Sequence, residues 1–202
     1  MKFLVIAKQK KNVDTFEAVL RELLALGHDV TLAIQQRDPE RDTRLAERLR
    51  HDRFALVSCP DERTDGWRAA APLVRTVRDW AQYTRPAYRA ASKLHRRAVE
   101  RLFRELGTAR SGEAPPLPAA AGGRVRDALA HLERAIPPDA LHAEFLDRHR
   151  PDVLLVTPGL HFGSGQTDFV KAARARGMPA DRCSAGQIGD HLAGAGARDI
   201  DG

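Results

Sequence analysis

Short apolar runs alternate through the first sixty residues with segments whose apolar positions recur every three or four residues, a pattern that builds a parallel β-α-β-α-β layer. Lys2–Ala7 is an apolar run of strand length. Phe16, Val19, Leu20, Leu23 and Leu24 then share one helical face. Asp14 and Glu17 are spaced as a capping box for that helix, Gly27 sits where a left-handed C-terminal residue belongs, and His28–Ile34 supplies the second strand. A polar helix from about Asp42 to Arg50 leads to a third strand at Phe54–Ser58. Right-handed crossovers order these strands 3-2-1.

The pattern then turns helical. Trp67, Ala70, Val74, Val77 and Ala81 lie on one face of a helix that Pro72 either opens or kinks, and Pro86 separates it from a second helix carrying Leu94, Ala98, Arg101 and Phe103. Thr108–Gly123 has the composition of a flexible linker, after which Val125–Ala135 and Asp139–Arg150 read as helices. Asp152–Val156, short and β-branched, returns to the sheet beside strand 1. The expected fold is α/β: a Rossmann-like parallel sheet of order 3-2-1-4 with helices on both faces and a helical insertion. Residues 1–180 form the domain, 65–150 its insertion with the linker at 108–123, and 181–202 a poorly ordered tail. In that tail Ile188, Leu192 and Ile200 are the large aliphatics, too few to offset backbone entropy, so no fifth strand is read there.

Composition changes this picture only locally. The net charge is +6, but 27 of the 33 basic residues are arginine amid abundant Ala, Gly and Pro, as GC-rich coding produces. Between Arg63 and Arg104 eleven Arg or Lys stand against Asp65, Asp79 and Glu100. Without interleaved aromatics for base stacking, this is read as a solvated helical face and not as a nucleic-acid site. No run approaches the roughly 18 apolar residues of a membrane span, and Met1–Ala7 leads straight into a strand, so a cytoplasmic protein is expected. Cys59 and Cys183 lack disulfide-framework or metal-ligand spacing; Cys59 is expected to be a buried thiol.

The candidate chemistry lies where strand 4 ends. Pro158 stops the strand, Gly159, Gly163 and Gly165 let the chain turn sharply, and Asp168, Phe169, Val170 and Ala173 resume helical spacing. An order of 3-2-1-4 puts a topological switch point between strands 1 and 4, where ligands of open α/β sheets bind. Two loops meet there: Lys8–Asn12, which carries Lys8, Lys10 and Lys11, and Gly159–Gln166, which opens onto a helix N-terminus. The candidate ligand-binding residues are Lys8, Lys10, Asn12, His161, Gly163, Ser164, Gln166 and Asp168, for an anionic or hydroxyl-rich ligand. His161 is placed to act as a base or hydroxyl partner, whereas His142 and His149, seven apart on the preceding helix, read as surface residues. No catalytic residue is assigned. KQKKN follows strand 1 in place of GxGxxG, and Gly159–Thr167 is one residue too long for a P-loop, with Gln166 where its lysine belongs. Neither a dinucleotide cofactor, an NTPase site nor a metal is expected.

Three segments carry a family resemblance: the opening KFLVIAK, the helices DGWRAAAPLVRTVRDWAQYTRPAY, and PDVLLVTPGLHFGSGQTDFVKAARARGMP. Over about Met1–Pro179 the chain resembles the N-terminal half of GT-B glycosyltransferases, the two-Rossmann-domain superfamily of UDP-glycosyltransferases and glycogen phosphorylases. The resemblance implies an acceptor-side half of an enzyme that transfers sugar from a nucleotide-sugar donor. Donor contacts would come from a C-terminal domain missing from this sequence, which departs from the family pattern after Gly177-Met178-Pro179 as a truncated or frameshifted product would. Nucleotide sugar and acceptor are then partners only when that second domain is present, and the chain alone is expected to be inactive. The contrasting expectation is a non-catalytic interaction module that binds an acidic partner or polyanion through basic helices 63–104.

Overall fold

Lys2–Gln9 (β1), Asp29–Gln36 (β2), Phe54–Ser58 (β3), Val153–Thr157 (β4) and Ala180–Arg182 (β5) form one parallel sheet of order β3-β2-β1-β4-β5. The structure, a computed structural model, describes residues 1–9, 13–14, 16–36, 38–88, 90–107, 119–157 and 164–182. Its helices are α1 (Glu17–Ala25), α2 (Pro39–Arg48), α3 (Ala70–Tyr83), α4 (Ser92–Glu105), α5 (Ala119–Ala135), α6 (Ala140–His149) and α7 (Gln166–Arg174), with a 3₁₀ turn at Pro86–Tyr88. The fold is thus α/β and Rossmann-like, with β1 central and β4 beside it. The tail segment read as strandless contributes β5, whose three residues pair with Leu154–Val156. Ladder bonds are made by backbone, so an apolar signal is not needed for so short an edge. Residues 183–202, expected to be poorly ordered, lie outside the described residues, as does Cys183.

The described residues divide into two units: those within 1–61, 140–160 and 166–202 form the first, and those within 62–139 and 161–165 the second. In the first unit the pleat sends alternate residues of β1 to opposite faces. Phe3, Val5 and Ala7 pack with Val30, Leu32 and Ile34 against Phe16, Leu20, Leu23 and Leu24 at α1 and against Leu45 and Leu49 at α2. Leu4 and Ile6 pack with Leu154 and Val156 against Phe145 and Leu146 of α6 and Phe169, Val170, Ala172 and Ala173 of α7. Both faces of the central strands are therefore covered, as their continuous apolar runs demand.

Local signals resolve unevenly. Gly27 has φ +80°, and the pair of bonds Gly27 N–H to Leu24 C=O (2.9 Å) and His28 N–H to Leu23 C=O (3.1 Å) closes α1 as the sequence predicts. The capping box does not form. Phe16 is the N-cap and makes no side-chain cap bond. Glu17 instead accepts from Arg48 at 2.6 Å and Arg21 at 2.8 Å, and Arg48 also reaches Asp14 at 3.2 Å, joining α1 to α2. These bonds, Arg48 foremost, hold the Glu17 carboxyl below its ordinary pKa. A charged fork on a neighbouring helix outcompetes the local cap because it offers several donors to one carboxylate.

His142 is a correction to the sequence reading. It is fully buried, edge-on to Phe169 with ring centroids 4.5 Å apart, so it belongs to the core between α6 and α7 and not to the surface. Positions 142, 145, 146 and 149 share one face of α6, and that face meets the sheet. His149, only half-buried, lies 4.5 Å from the Phe145 ring, and burial followed by Arg148 pushes its pKa down. Cys59 is likewise half-buried where burial was expected, because β3 is an edge strand with incomplete cover.

The second unit is helical. Its ends meet: Thr64 N–H donates to the buried Asp139 Oδ1 at 3.3 Å, and Arg63 pairs with Asp65 while donating to the Pro137 carbonyl at 3.0 Å. Its long stretch runs from Glu62 to Asp139, and α6, which the sequence reading placed within the insertion to residue 150, packs on the sheet. α5 begins at Ala119, inside the segment 108–123 read as linker, and residues 108–118 lie outside the described residues. Pro72 sits in the first turn of α3, where its missing N–H costs no helical bond. The buried face of α3 comprises Ala71, Arg75, Thr76, Trp80 and Ala81. Trp80 and Ala81 pack with Ala98, Val99 and Leu102 of α4 and with Val125 of α5. Flanked by both neighbours, α3 buries positions outside its apolar stripe.

Candidate ligand site at the carboxyl ends of β1 and β4

β1 and β4 are in register from Phe3–Val153 to Ala7–Thr157, so both strands finish at the same edge of the sheet. From β1 the chain crosses toward β2 and β3 on one side, while β4 and β5 fill the other, which makes the gap beyond Ala7 and Thr157 the topological switch point. Lys8, half-buried, continues β1 past this point. α7 follows in the chain order β4-loop-α7. The Gln166 side chain, 1% exposed, donates from Nε2 to the Thr157 carbonyl at 2.9 Å and so ties the helix start to the strand end.

Two more polar residues of α7 are buried here. Thr167 is 6% and Asp168 1% exposed, and Asp168 occupies the first turn. That turn leaves backbone N–H donors without intrahelical partners. Behind them Phe169, Val170, Ala172 and Ala173 seat the helix in the core. The first turn of α7 thus carries buried polar side chains at Thr167 and Asp168, and Lys8 extends β1 at the same edge of the sheet. With a carboxylate already at the helix start, a phosphate would meet like charge, so the chemistry favours hydroxyl groups over an anion.

Ser164 is also buried, but in the helical unit: its carbonyl accepts from Arg75 Nη1 at 3.3 Å. Arg75 in turn binds Glu133, its Nε 3.1 Å from each carboxylate oxygen. Of the sequence candidates, then, Lys8, Ser164, Gln166 and Asp168 are placed, while Lys10, Asn12, His161 and Gly163 lie outside the described residues. Sequence reasoning missed Thr157 and Thr167 at this edge and, within the helical unit, the buried pair of Arg75 and Glu133.

Other features compete poorly. A cavity of about 160 Å³ is lined by Leu24, Ala25, Leu49, Arg21, Arg50 and His51, where α1 and α2 end and hence at the amino ends of β2 and β3, opposite the ligand edge of such sheets. The expected solvated basic face is not uniform: Arg63 and Arg75 are buried, and Arg68, Arg78, Arg96 and Arg101 pair with Glu62, Asp79, Glu100 and Glu105. Those pairs consume charge that a polyanion would need. No helix of the described residues is long and apolar enough to cross a membrane.

No protein-family profile and no curated protein matches the chain. Among solved structures, a crystal structure of the glycosyltransferase VinC in complex with dTDP aligns over 100% of this chain with a TM-score of 0.40 and 14% identity, and the chain spans 40% of that chain's length. Likeness at that level carries no activity with it.

Proposed function

We propose that the chain is the acceptor-side half of a glycosyltransferase-like enzyme, and that Lys8 with the first turn of α7 binds a hydroxyl-rich acceptor. The observation that carries this reading is the buried polar set Gln166, Thr167 and Asp168 at the carboxyl end of β4, beside the switch point. The sequence resemblance of Pro151–Pro179 to the GT-B strand-loop-helix supports it. Asp168 and Thr167 would accept from acceptor hydroxyls, the α7 backbone would donate, and Lys8 would hold the oxygen-rich ligand at the strand edge. The donor, a nucleotide sugar, would be held mainly by a second domain.

Calorimetric titration tests the proposal. Alone, the chain should bind nucleotide sugars with dissociation constants above about 1 mM, because half a cleft leaves charge pairs in solvent, each contributing about 0–1 kcal/mol. Simple glycosides should bind weakly but measurably, and a separately supplied C-terminal domain should restore transfer. Micromolar binding of a nucleotide sugar, or transfer by this chain alone, would contradict the half-enzyme reading.

A further inference from the structure

The cavity of about 160 Å³ at the ends of α1 and α2 lies wholly within the sheet unit, and its lining is of two kinds. Leu24 and Leu49, both buried, form an apolar wall with Ala25, while the exposed Arg21, Arg50 and His51 form a cationic rim. No carboxylate is among the described residues that line it. A space of about 150 Å³ is enough for one benzene ring.

Two helix C-termini meet here, and their last carbonyls would ordinarily claim any nearby cation. The chain itself largely serves them. Backbone N–H groups of Leu26, Gly27 and His28 donate to the carbonyls of Glu22 (2.9 Å), Leu24 (2.9 Å) and Leu23 (3.1 Å) at the end of α1. At the end of α2, Leu49 N–H donates to Leu45 C=O at 3.0 Å, Arg50 N–H to Glu47 C=O at 3.4 Å, and the Arg21 side chain to Arg48 C=O at 2.8 Å. Arg21 is also held by Glu17 at 2.8 Å, and the Arg53 guanidinium takes the Gly27 carbonyl. The rim groups that remain point to a ligand. His51 Nδ1 accepts from the Arg53 backbone N–H at 3.1 Å, which leaves Nε2 as the donor of the ring. The Arg50 guanidinium makes no bond among the described residues.

We propose that this cavity binds a small organic acid of one ring, with the ring against Leu24, Ala25 and Leu49 and the carboxylate on Arg50 and His51. A guanidinium pairs a carboxylate through two parallel N–H bonds, and the apolar wall gives the ring a surface to leave water for. An inorganic anion would leave that wall uncovered, and a glycoside would leave the cations unpaired. The site is therefore separate from the acceptor site proposed at the opposite edge of the sheet, and neither depends on the other.

Amide chemical-shift mapping with sodium benzoate tests the proposal. Saturable shifts are expected at Leu24, Ala25 and Leu49–His51, with a dissociation constant of about 0.1–1 mM, as suits so few ligand atoms. Benzamide, which has the same shape without the charge, should bind at least about tenfold more weakly, and acetate, which has the charge without the ring, should not saturate below about 10 mM. Arg50→Gln, an exposed substitution that should leave the melting temperature unchanged, should weaken benzoate at least about fivefold. Ala25→Glu, which puts a carboxylate beside the rim, should abolish saturation. Absence of saturable benzoate shifts at these residues would overturn the proposal, and so would smaller discrimination against benzamide or undiminished binding in either variant. Tighter binding of an acetylated tripeptide ending in phenylalanine would overturn the assignment to a free small acid.

Discussion

Phe169→Ala is expected to lower the free energy of unfolding by about 3–5 kcal/mol, the range for truncating a fully buried aromatic side chain. Phe169 has no exposed surface, and two rings rest edge-on against it, His142 at 4.5 Å and Phe145 at 5.8 Å between centroids. Removing the ring opens a cavity where α6 and α7 meet the sheet, and those helices cannot close it without leaving Leu154 and Val156. Against a typical total of about 5–15 kcal/mol the loss is severe, so a large shift of the urea midpoint is the readout. A change under about 1 kcal/mol would mean that α7 is not seated in this core. The consequence reaches the proposed site, because Gln166, Thr167 and Asp168 precede Phe169 directly on α7.

The second large effect is expected from Glu133→Leu alone. It takes the carboxylate away from a guanidinium that is 1% exposed and should cost about 3–5 kcal/mol, whereas adding Arg75→Met should recover most of that loss. Thermal unfolding of the two single variants and the double variant measures the coupling. Additive losses would show that the two side chains act independently and that the contact between α3 and α5 does not depend on their pairing.

How far the fold could be read from residues varies with the kind of signal. The parallel order 3-2-1-4 followed from apolar runs such as Lys2–Ala7 and Asp152–Val156, because strands buried on both faces leave a continuous imprint. Gly27 was legible for a similar reason: φ +80° is a conformation that few other residues adopt. β5 left no imprint, since three residues on an edge need only backbone bonds. The capping box failed at Asp14 and Glu17 because Arg48, 31 residues beyond Glu17, took the carboxylate. Burial of His142 depended on Phe169, 27 positions away, and burial of Arg75 on Glu133, 58 positions away, pairings that no local period can show. In the candidate site, glycines and the strand end located the loop, while the tie from Gln166 to Thr157 came only with the tertiary structure.

The claim that matters most is that the carboxyl ends of β1 and β4 bind a hydroxyl-rich ligand through the start of α7. Amide chemical-shift mapping during titration with simple glycosides tests it directly. Shifts should concentrate at Lys8 and at Gly165–Asp168 and should diminish in Asp168→Ala. Shifts gathered instead around Arg21, Leu49 and His51 at the opposite edge, or no saturable shift at all, would contradict it.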